Sequence, residues 1–322
     1  MKAIRFDQVG GPEVLQFVDI ELAAPGSGIA RVKHTAVGVN FIDTYHRTGL
    51  YRLPLPSGLG SEAAGVVEAV GEGVTSVKPG DRVAYAGAMG AYAEANNVPA
   101  DRLVKIPAGI NDETAAAAML KGMTAQYLLK RTYPVKRGET ILFHAAAGGV
   151  GLIAGQWAKH LGATVIGTVG SDDKIALAKE NGATHVLNIR KDDWVKRVRE
   201  ITGGVGVPVV YDSIGKDTFM GSLDCLQVRG MMVSFGNASG AVPPFEAGIL
   251  SAKGSLYLTR PTLMSYTRNA KELQETADDL FTVIASGAVK IAVHQRFKLS
   301  EARKAHEALH SRNTTGATIL VP

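Results

Sequence analysis

The sequence predicts an α/β protein in which a doubly wound parallel sheet is joined to a β-rich domain. Three observations carry this reading. From residue 140 onward, short apolar runs alternate with helical patterns of about 10 residues, the rhythm of a parallel sheet with right-handed crossovers. Before residue 120 the runs alternate apolar with polar positions and are separated by glycine-rich turns, as in a compact β domain. Between the first apolar run of the alternating region and its first helix lies Ala145-Ala146-Ala147-Gly148-Gly149-Val150-Gly151, a tight turn of small residues.

Strand, turn and helix in that order are the setting of a dinucleotide fingerprint. The first helical turn leaves backbone N–H groups unpaired and carries partial positive charge, so it suits a pyrophosphate. Gly148 lets the backbone approach the phosphates, and Gly151 lets helix and strand pack closely. Ala146 stands where G-x-G-x-x-G has its first glycine.

In the N-terminal region, 2–6, 14–20, 29–37 and 63–70 read as strands, and Pro79-Gly80-Asp81 is a turn feeding another at 82–83. Residues 112–131 turn helical, with Asn111 or Asp112 as cap and Glu113 in the first turn. Gly122 and Thr124 interrupt the helix formers, which predicts two helices joined at a bend. Strands are then expected at 141–143, 164–169, 185–187, 207–211, 231–235 and 255–258, the strand count of a complete dinucleotide domain. Helices are expected at 152–161, 172–181, 193–201 and 217–226. A helix at 269–286, a strand at 289–297, a helix at 300–310 and a last strand at 318–321 are expected to return to the N-terminal domain and complete it.

The 322 residues suffice for two domains, and 46% hydrophobic with 20% charged residues is ordinary for a globular protein. A net charge of +5 favours anionic ligands but is too mild to indicate nucleic acid. Met1 to Phe6 shows no stretch of signal-peptide length, and no run approaches the roughly 18 apolar residues of a membrane span. Cys225 is the only cysteine, which excludes an intramolecular disulfide and a thiolate zinc cluster. A reducing, cytoplasmic setting is the expectation.

A second signature is Gly60-Ser61-Glu62-Ala63-Ala64-Gly65-Val66-Val67-Glu68-Ala69-Val70-Gly71, closed by Gly80-Asp81-Arg82-Val83. With Gly38-Val39-Asn40-Phe41-Ile42-Asp43 and the 145–151 turn, it resembles the medium-chain dehydrogenase/reductase superfamily. Asn40-Phe41-Ile42-Asp43-Thr44-Tyr45, Lys121-Gly122-Met123-Thr124-Ala125 and Phe235-Gly236-Asn237 make the chain similar to zinc-independent, NADPH-dependent quinone oxidoreductases of the zeta-crystallin type. The resemblance implies a GroES-like catalytic domain over 1–124, completed by 265–322, and a Rossmann NADP-binding domain over 125–264. It also implies a homodimer formed through the Rossmann sheet edge, for which 254–258 is the candidate strand.

Zinc-dependent relatives place a cysteine where this chain has Asn40 and a His-Glu pair where it has Ser61-Glu62. An amide and a hydroxyl do not replace thiolate and imidazole as tight zinc ligands, so a metal-free enzyme is expected. His306-Glu307-Ala308-Leu309-His310 does fit H-E-x-x-H. The pattern fixes three positions and no third ligand is near, so a solvated helix face is the better reading. His144 is expected to be packed or hydrogen-bonded, and no G-x-S-x-G elbow suggests a hydrolase.

An NAD-preferring site carries Asp or Glu about 20 residues beyond the glycines, to bind the ribose hydroxyls. Here that position is Gly170, and Ser171 and Lys174 are suited to a 2′-phosphate. Asp172 and Asp173 are read as first-turn acids on a helix that Ser171 caps. Similar proteins carry a tyrosine where this chain has Ile189; Arg190 beside it adds charge or is merely solvated. NADPH is the expected cofactor.

By resemblance, Asn40 and Thr124 lie near the nicotinamide end, and Gly148, Gly149 and Val150 face the pyrophosphate. Ser213, Phe235, Gly236 and Arg312 match further cofactor contacts, and Tyr45 and Tyr51 match substrate-binding positions. Asn40 and Tyr45 are the candidate catalytic residues; packing explains Tyr45 equally well, and Asp43 reads as a turn-stabilising residue. The expected activity is metal-free hydride transfer from NADPH to a quinone. The alternatives are reduction of α,β-unsaturated aldehydes or ketones, an RNA-binding role of the zeta-crystallin kind, and a storage role with the cofactor retained. No basic patch interleaved with aromatics supports RNA binding.

Overall fold

In the computed structural model, which describes residues 1–311 and 314–322, the apolar run Thr140–Phe143 is an inner strand of a six-stranded sheet. Ile141, Leu142 and Phe143 are all buried, as a strand covered on both faces requires. The strand order is His185–Asn188, Thr164–Val169, Thr140–Phe143, Val207–Asp212, Leu226–Ser234, Tyr257–Thr259, and every neighbouring pair is parallel. The order reverses between Thr140–Phe143 and Val207–Asp212, the place where open α/β sheets bind ligands outside the carboxyl ends of their strands. Helices Gly149–His160, Ile175–Glu180, Trp194–Ile201 and Phe219–Cys225 lie between successive strands. Leu142, Ile166, Val210, Leu223 and Met232 join sheet and helices in one apolar core. This sheet belongs to a unit made of Thr124–Tyr266 and Ser286–Lys290.

The other unit comprises Met1–Met123, Thr267–Ala285 and Ile291–Pro322. Its seven-stranded sheet is built on the long strand Ile29–Val39, which pairs antiparallel with Glu62–Val70, Ala95–Pro99 and Ala317–Val321. Ala317–Val321 pairs in turn with Val293–Lys298 in parallel. The end of the chain therefore completes the sheet its beginning starts, with Ile319 opposite Gly38. A separate three-stranded sheet joins Gln16–Asp19, Lys2–Phe6 and Ser57–Gly58. Phe6, Val32, Val67, Tyr85, Tyr92 and Leu320 share the core of this unit.

Several expectations change, three of which are as follows. Residues 14–20 do not form one strand: Pro12–Val14 is a 3₁₀ turn, and the strand is Gln16–Asp19. A proline suits a first helical turn because its φ is fixed and its missing N–H is not needed there. Residues 112–131 are not split into two helices at Gly122 and Thr124: Asp112–Tyr127 is one α-helix, continued by a π-helical turn at Leu128–Thr132. Gly122 is needed for packing instead, since a Cβ there would come within 2.4 Å of the Leu280 side chain. Asn111 is the cap, its side-chain oxygen accepting from the Thr114 N–H at 2.8 Å. The third change is at 172–181, where a 3₁₀ turn, Asp172–Lys174, precedes the helix Ile175–Glu180.

Candidate functional site

The cradle of the parallel-sheet unit begins where Thr140–Phe143 ends. Ala145 takes a left-handed backbone conformation (φ 54°), which turns the chain toward the helix Gly149–His160. Gly148 is the N-cap, and no side chain caps the helix. A Cβ at Gly151 would lie 2.3 Å from the Ala145 carbonyl oxygen, so only glycine allows the helix to sit this close to the turn. The result is a helix N-terminus without a side-chain cap at the sheet's switch point, where the first-turn N–H groups have no intrahelical partners. Neighbouring strand ends meet there. Phe235 donates its N–H to the Asp212 carbonyl at 2.8 Å, its ring lies 5.8 Å from that of Phe143, and a Cβ at Gly236 would lie 2.4 Å from the Ser213 carbonyl. Ser213, Phe235 and Gly236 are thereby brought together with the glycine turn at the carboxyl ends of the strands.

Thr164–Val169 leads to Gly170 and Ser171. Ser171 occupies the N-cap position of the turn that follows, but its side chain makes no capping bond, contrary to expectation. Asp172 and Asp173 do stand in the first turn, as expected, and Asp172 also reaches beyond it: it accepts from Asn188 Nδ2 at 2.6 Å and pairs with Lys191. Partial burial lowers the Lys174 ammonium below its ordinary value; Asp173 opposes this and Arg190 reinforces it. The Arg190 Nε lies 4.0 Å from where a Gly170 Cβ would sit. Two cations therefore border the Gly170–Ser171 corner, and an anion placed there would relieve their repulsion. Thr124, also in this unit, is buried and hydrogen-bonded to Tyr127. Arg312 lies outside the described residues.

The β-rich unit gathers a second polar cluster around Asn40. Asn40 ends Ile29–Val39 and is the N-cap of the helix Phe41–Arg47. Its side-chain amide donates to Glu62 Oε2 at 2.8 Å, and its backbone N–H donates to Asp43 Oδ2 at 2.8 Å. Glu62 also accepts from Lys121 Nζ (3.1 Å) and from the Leu120 N–H (2.6 Å). Gly38 makes room for this carboxylate, since a Cβ there would come within 2.0 Å of Glu62 Oε2. Asp43 Oδ1 and Ser61 Oγ are buried and have no hydrogen-bond partner among the described residues. Burial pushes the Asp43 carboxyl up to about 7, against the Asn40 and Tyr92 hydrogen bonds that lower it. Tyr45 and Tyr51 are half-buried and pack edge-on, with ring centroids 5.3 Å apart.

Sequence reasoning gave Glu62, Lys121 and Tyr92 no role in this cluster. A signal was present for two of them. Glu62 opens a strand whose next five residues, Ala63 to Val67, are apolar or glycine, and Lys121 interrupts a run of apolar helical residues; a charge in an apolar segment asks for a partner. Tyr92 carries no comparable local mark.

The residues that stand in the zinc-ligand positions do not fit zinc. Asn40 uses its amide on Glu62, and the neighbouring donor at Ser61 is a hydroxyl. Among the described residues no group of three His, Cys, Asp or Glu could hold a metal. His306 corrects the reading of 306–310 as a solvated face: it is fully buried, with one ring nitrogen 3.0 Å from Tyr92 Oη and the other 3.1 Å from Arg47 Nη1. Glu307 and His310 are exposed. His144 is buried between Thr168 Oγ1 and Ser222 Oγ, as expected of a packed histidine.

Residues 26–108 match the alcohol dehydrogenase GroES-like domain, and residues 149–282 match the zinc-binding dehydrogenase family. The chain is 56% identical to a quinone oxidoreductase of Pseudomonas aeruginosa, over 100% of this chain and 99% of that one. It superposes on the crystal structure of Escherichia coli quinone oxidoreductase complexed with NADPH with a TM-score of 0.99, at 54% identity and full coverage of both chains. A 2-haloacrylate reductase of a Burkholderia species is 46% identical, over 97% of this chain and 96% of that one.

Proposed function

The chain belongs to the quinone oxidoreductase family of the medium-chain dehydrogenase/reductase superfamily, and from this membership we propose that it is an NADPH:quinone oxidoreductase. The observation that carries the reading is the full-length likeness to an NADPH-bound quinone oxidoreductase, on a chain whose own cradle fits a dinucleotide. When bound, NADPH supplies a hydride. A quinone that takes up this hydride and one proton becomes a hydroquinone. Its conjugated system spreads the transferred charge, so it needs less polarisation than a simple ketone would.

The chain's residues bind and orient. Gly148, Gly149 and Val150 present first-turn N–H groups to the pyrophosphate. Ser171 and Lys174, with Arg190 beside them, take the 2′-phosphate that distinguishes NADPH from NADH. Thr124, Ser213, Phe235, Gly236 and Arg312 are further cofactor contacts in this reading. Asn40 serves the reacting end, and the Tyr45–Tyr51 pair meets the acceptor, with the Tyr45 hydroxyl as the candidate donor to its oxygen.

No helix among the described residues is long and apolar enough to cross a membrane. A cytoplasmic setting is part of the proposal, supported by a single, buried cysteine. So is a homodimer through Tyr257–Thr259, which ends the parallel sheet and leaves Tyr257 59% exposed. Sedimentation of Tyr257→Glu as a monomer, against a dimeric parent, supports that interface; an unchanged dimer removes it.

The 46% identity to a 2-haloacrylate reductase favours one second reading, reduction of an activated carbon–carbon double bond. Stopped-flow oxidation of NADPH and NADH by benzoquinone, naphthoquinone, 2-chloroacrylate and a simple enone separates the two. Faster turnover of the quinones with NADPH is expected. Preference for the acrylate moves the assignment to the second reading, and no turnover with any acceptor refutes both.

A further inference from the structure

Asn40 is held from two sides by buried carboxylates, and the two are secured differently. Glu62 is fixed directly, by Lys121 and the Leu120 N–H. Asp43 stands at the end of a longer chain. Tyr92 Oη lies 3.0 Å from Asp43 Oδ2 and 3.0 Å from His306 Nε2. His306 Nδ1 lies 3.1 Å from Arg47 Nη1, and Arg47 Nε donates to the Gly10 carbonyl at 3.2 Å. Asp43, Arg47, Tyr92 and His306 are all buried.

The direction of this chain follows from its chemistry. A guanidinium only donates, so His306 Nδ1 accepts. The neutral imidazole then carries its hydrogen on Nε2 and donates to Tyr92. Having accepted there, Tyr92 gives its one hydroxyl proton to Asp43 Oδ2, which also receives the Asn40 N–H. We propose that this one-way chain, from Arg47 through His306 and Tyr92 to Asp43, positions Asn40 for the reaction, with Asp43 as the positioning residue at its end. The proposal rests on the assignment of Asn40 to the reacting end.

Two electrostatic features support it. A protonated His306 would have no lone pair for Arg47, and burial, with Arg47 beside it, holds the imidazole down at about 3. Asp43 titrates in the neutral range. Burial raises it to about 7, Asn40, Tyr92 and Lys121 restrain it, and Glu62 pushes it further up. Its Oδ1 has no partner among the described residues and is where a proton would reside. Protonation keeps the bonds at Oδ2 but makes them neutral, about half as strong as charge-assisted ones. The hold on Asn40 therefore loosens below about pH 7.

The test compares Tyr92→Phe, His306→Leu and His306→Gln with the parent, using benzoquinone and NADPH. Tyr92→Phe and His306→Leu are expected to lower kcat about tenfold with the Kd for NADPH changed less than about twofold, since misplacement affects the reacting geometry and not cofactor affinity. In Tyr92→Phe the acid limb of the kcat profile moves to higher pH, because Asp43 loses a bond that lowers it. His306→Gln regains most of the kcat lost in His306→Leu, since a glutamine accepts from Arg47 through its oxygen and donates to Tyr92 through its nitrogen. Unchanged kcat and pH profile in Tyr92→Phe overturn the proposal. Long-range ¹H–¹⁵N correlation spectra of His306 in the parent give a reading independent of turnover and of variant folding. A neutral Nε2–H imidazole from pH 5 to 8 is required, and an Nδ1–H tautomer or an imidazolium overturns the chain even if the protein reduces no quinone.

Discussion

Each unit buries a histidine in a chain of hydrogen bonds that ends on an aspartate, and the two chains differ at that aspartate. In the parallel-sheet unit Ser222 Oγ donates to Asp212 Oδ2 at 2.8 Å, so it accepts from His144 Nε2 at 3.0 Å, and Thr168 Oγ1 donates to His144 Nδ1 at 2.8 Å. Asp212 also accepts from the Ile214 and Gly215 N–H groups and from Thr218 Oγ1. Each of its oxygens thus takes two donors. Asp43 takes two donors on Oδ2 and has none on Oδ1 among the described residues. A satisfied buried carboxylate anchors structure: Asp212 ties the end of Val207–Asp212 to the first turns of Phe219–Cys225. A half-satisfied one costs stability, and such costs are tolerated where placement or protonation serves a reaction.

The largest test of this contrast is Asp212→Ala against Asp43→Asn. Asp212→Ala strands two backbone N–H groups and two hydroxyls in the interior and is expected to cost about 3–5 kcal/mol in urea unfolding. Asp43→Asn keeps shape and acceptor, so about 1 kcal/mol or less is expected at pH 8, with the loss falling on kcat. Comparable stability losses in the two variants would erase the distinction between anchor and positioning group.

Gly151→Ala comes next. Its Cβ would meet the Ala145 carbonyl at 2.3 Å, a backbone atom that yields only by shifting the turn. Overpacking of this kind costs about 1–3 kcal/mol, and because the turn is the proposed cofactor cradle, the Kd for NADPH is expected to rise more than about tenfold. Isothermal titration alongside thermal unfolding checks both effects. Stability lost without affinity lost would show a packing turn and nothing more.

The parallel-sheet unit was the more legible of the two in sequence. Its strands are short apolar runs and its helices have their own period, so local pattern and final structure agree at Thr164–Val169 and elsewhere. The glycine turn was readable for the same reason, because its whole mechanism lies within seven consecutive residues, 145 to 151. The Asn40 cluster was readable only in part. Its members come from residues 40, 43, 47, 62, 92, 121 and 306, and nothing local to Tyr92 or His306 says that they meet. His306 was misread because a helical pattern shows which positions share a face but not which face is buried. The expected division into two helices at Gly122 failed likewise: helix propensity is local, whereas the Leu280 side chain that needs the space comes from another helix.

A smaller effect is expected at the Gly170–Ser171 corner. Lys174→Ala removes one of two neighbouring cations, and charge-assisted contacts to phosphate are worth about 1.5–3 kcal/mol, so NADPH affinity should fall about tenfold or more while NADH changes little. Fluorescence titration with both nucleotides reads the difference. Equal losses for the two would place Lys174 away from the 2′-phosphate.

The smallest effect concerns pH, and its sign sets the two kinds of buried group against each other. His34, His144 and His306 are buried and held neutral, His34 down to about 4 and His306 to about 3, chiefly by burial. In the unfolded chain the same imidazoles take up protons near 6.5. As pH falls through 6.5 the unfolded state binds more protons, so these three histidines withdraw stability on the acid side. Asp43 works in the opposite sense. Unfolded it ionises near 3.8 and folded near 7, so its contribution is present below about 4 and is lost as pH rises to about 7. Between pH 6.5 and 5 His34 and His306 together outweigh it, with His144 and the half-buried His46 lowered in the same direction, and Tm should fall on acidification. Asp43→Asn removes the only opposing member of this set, so its Tm should drop more steeply over that interval than the parent's, by a few degrees. An identical slope in parent and variant would mean that Asp43 ionises in the folded protein as it does in water, and that its burial among Asn40, Tyr92 and Glu62 leaves no mark on its chemistry.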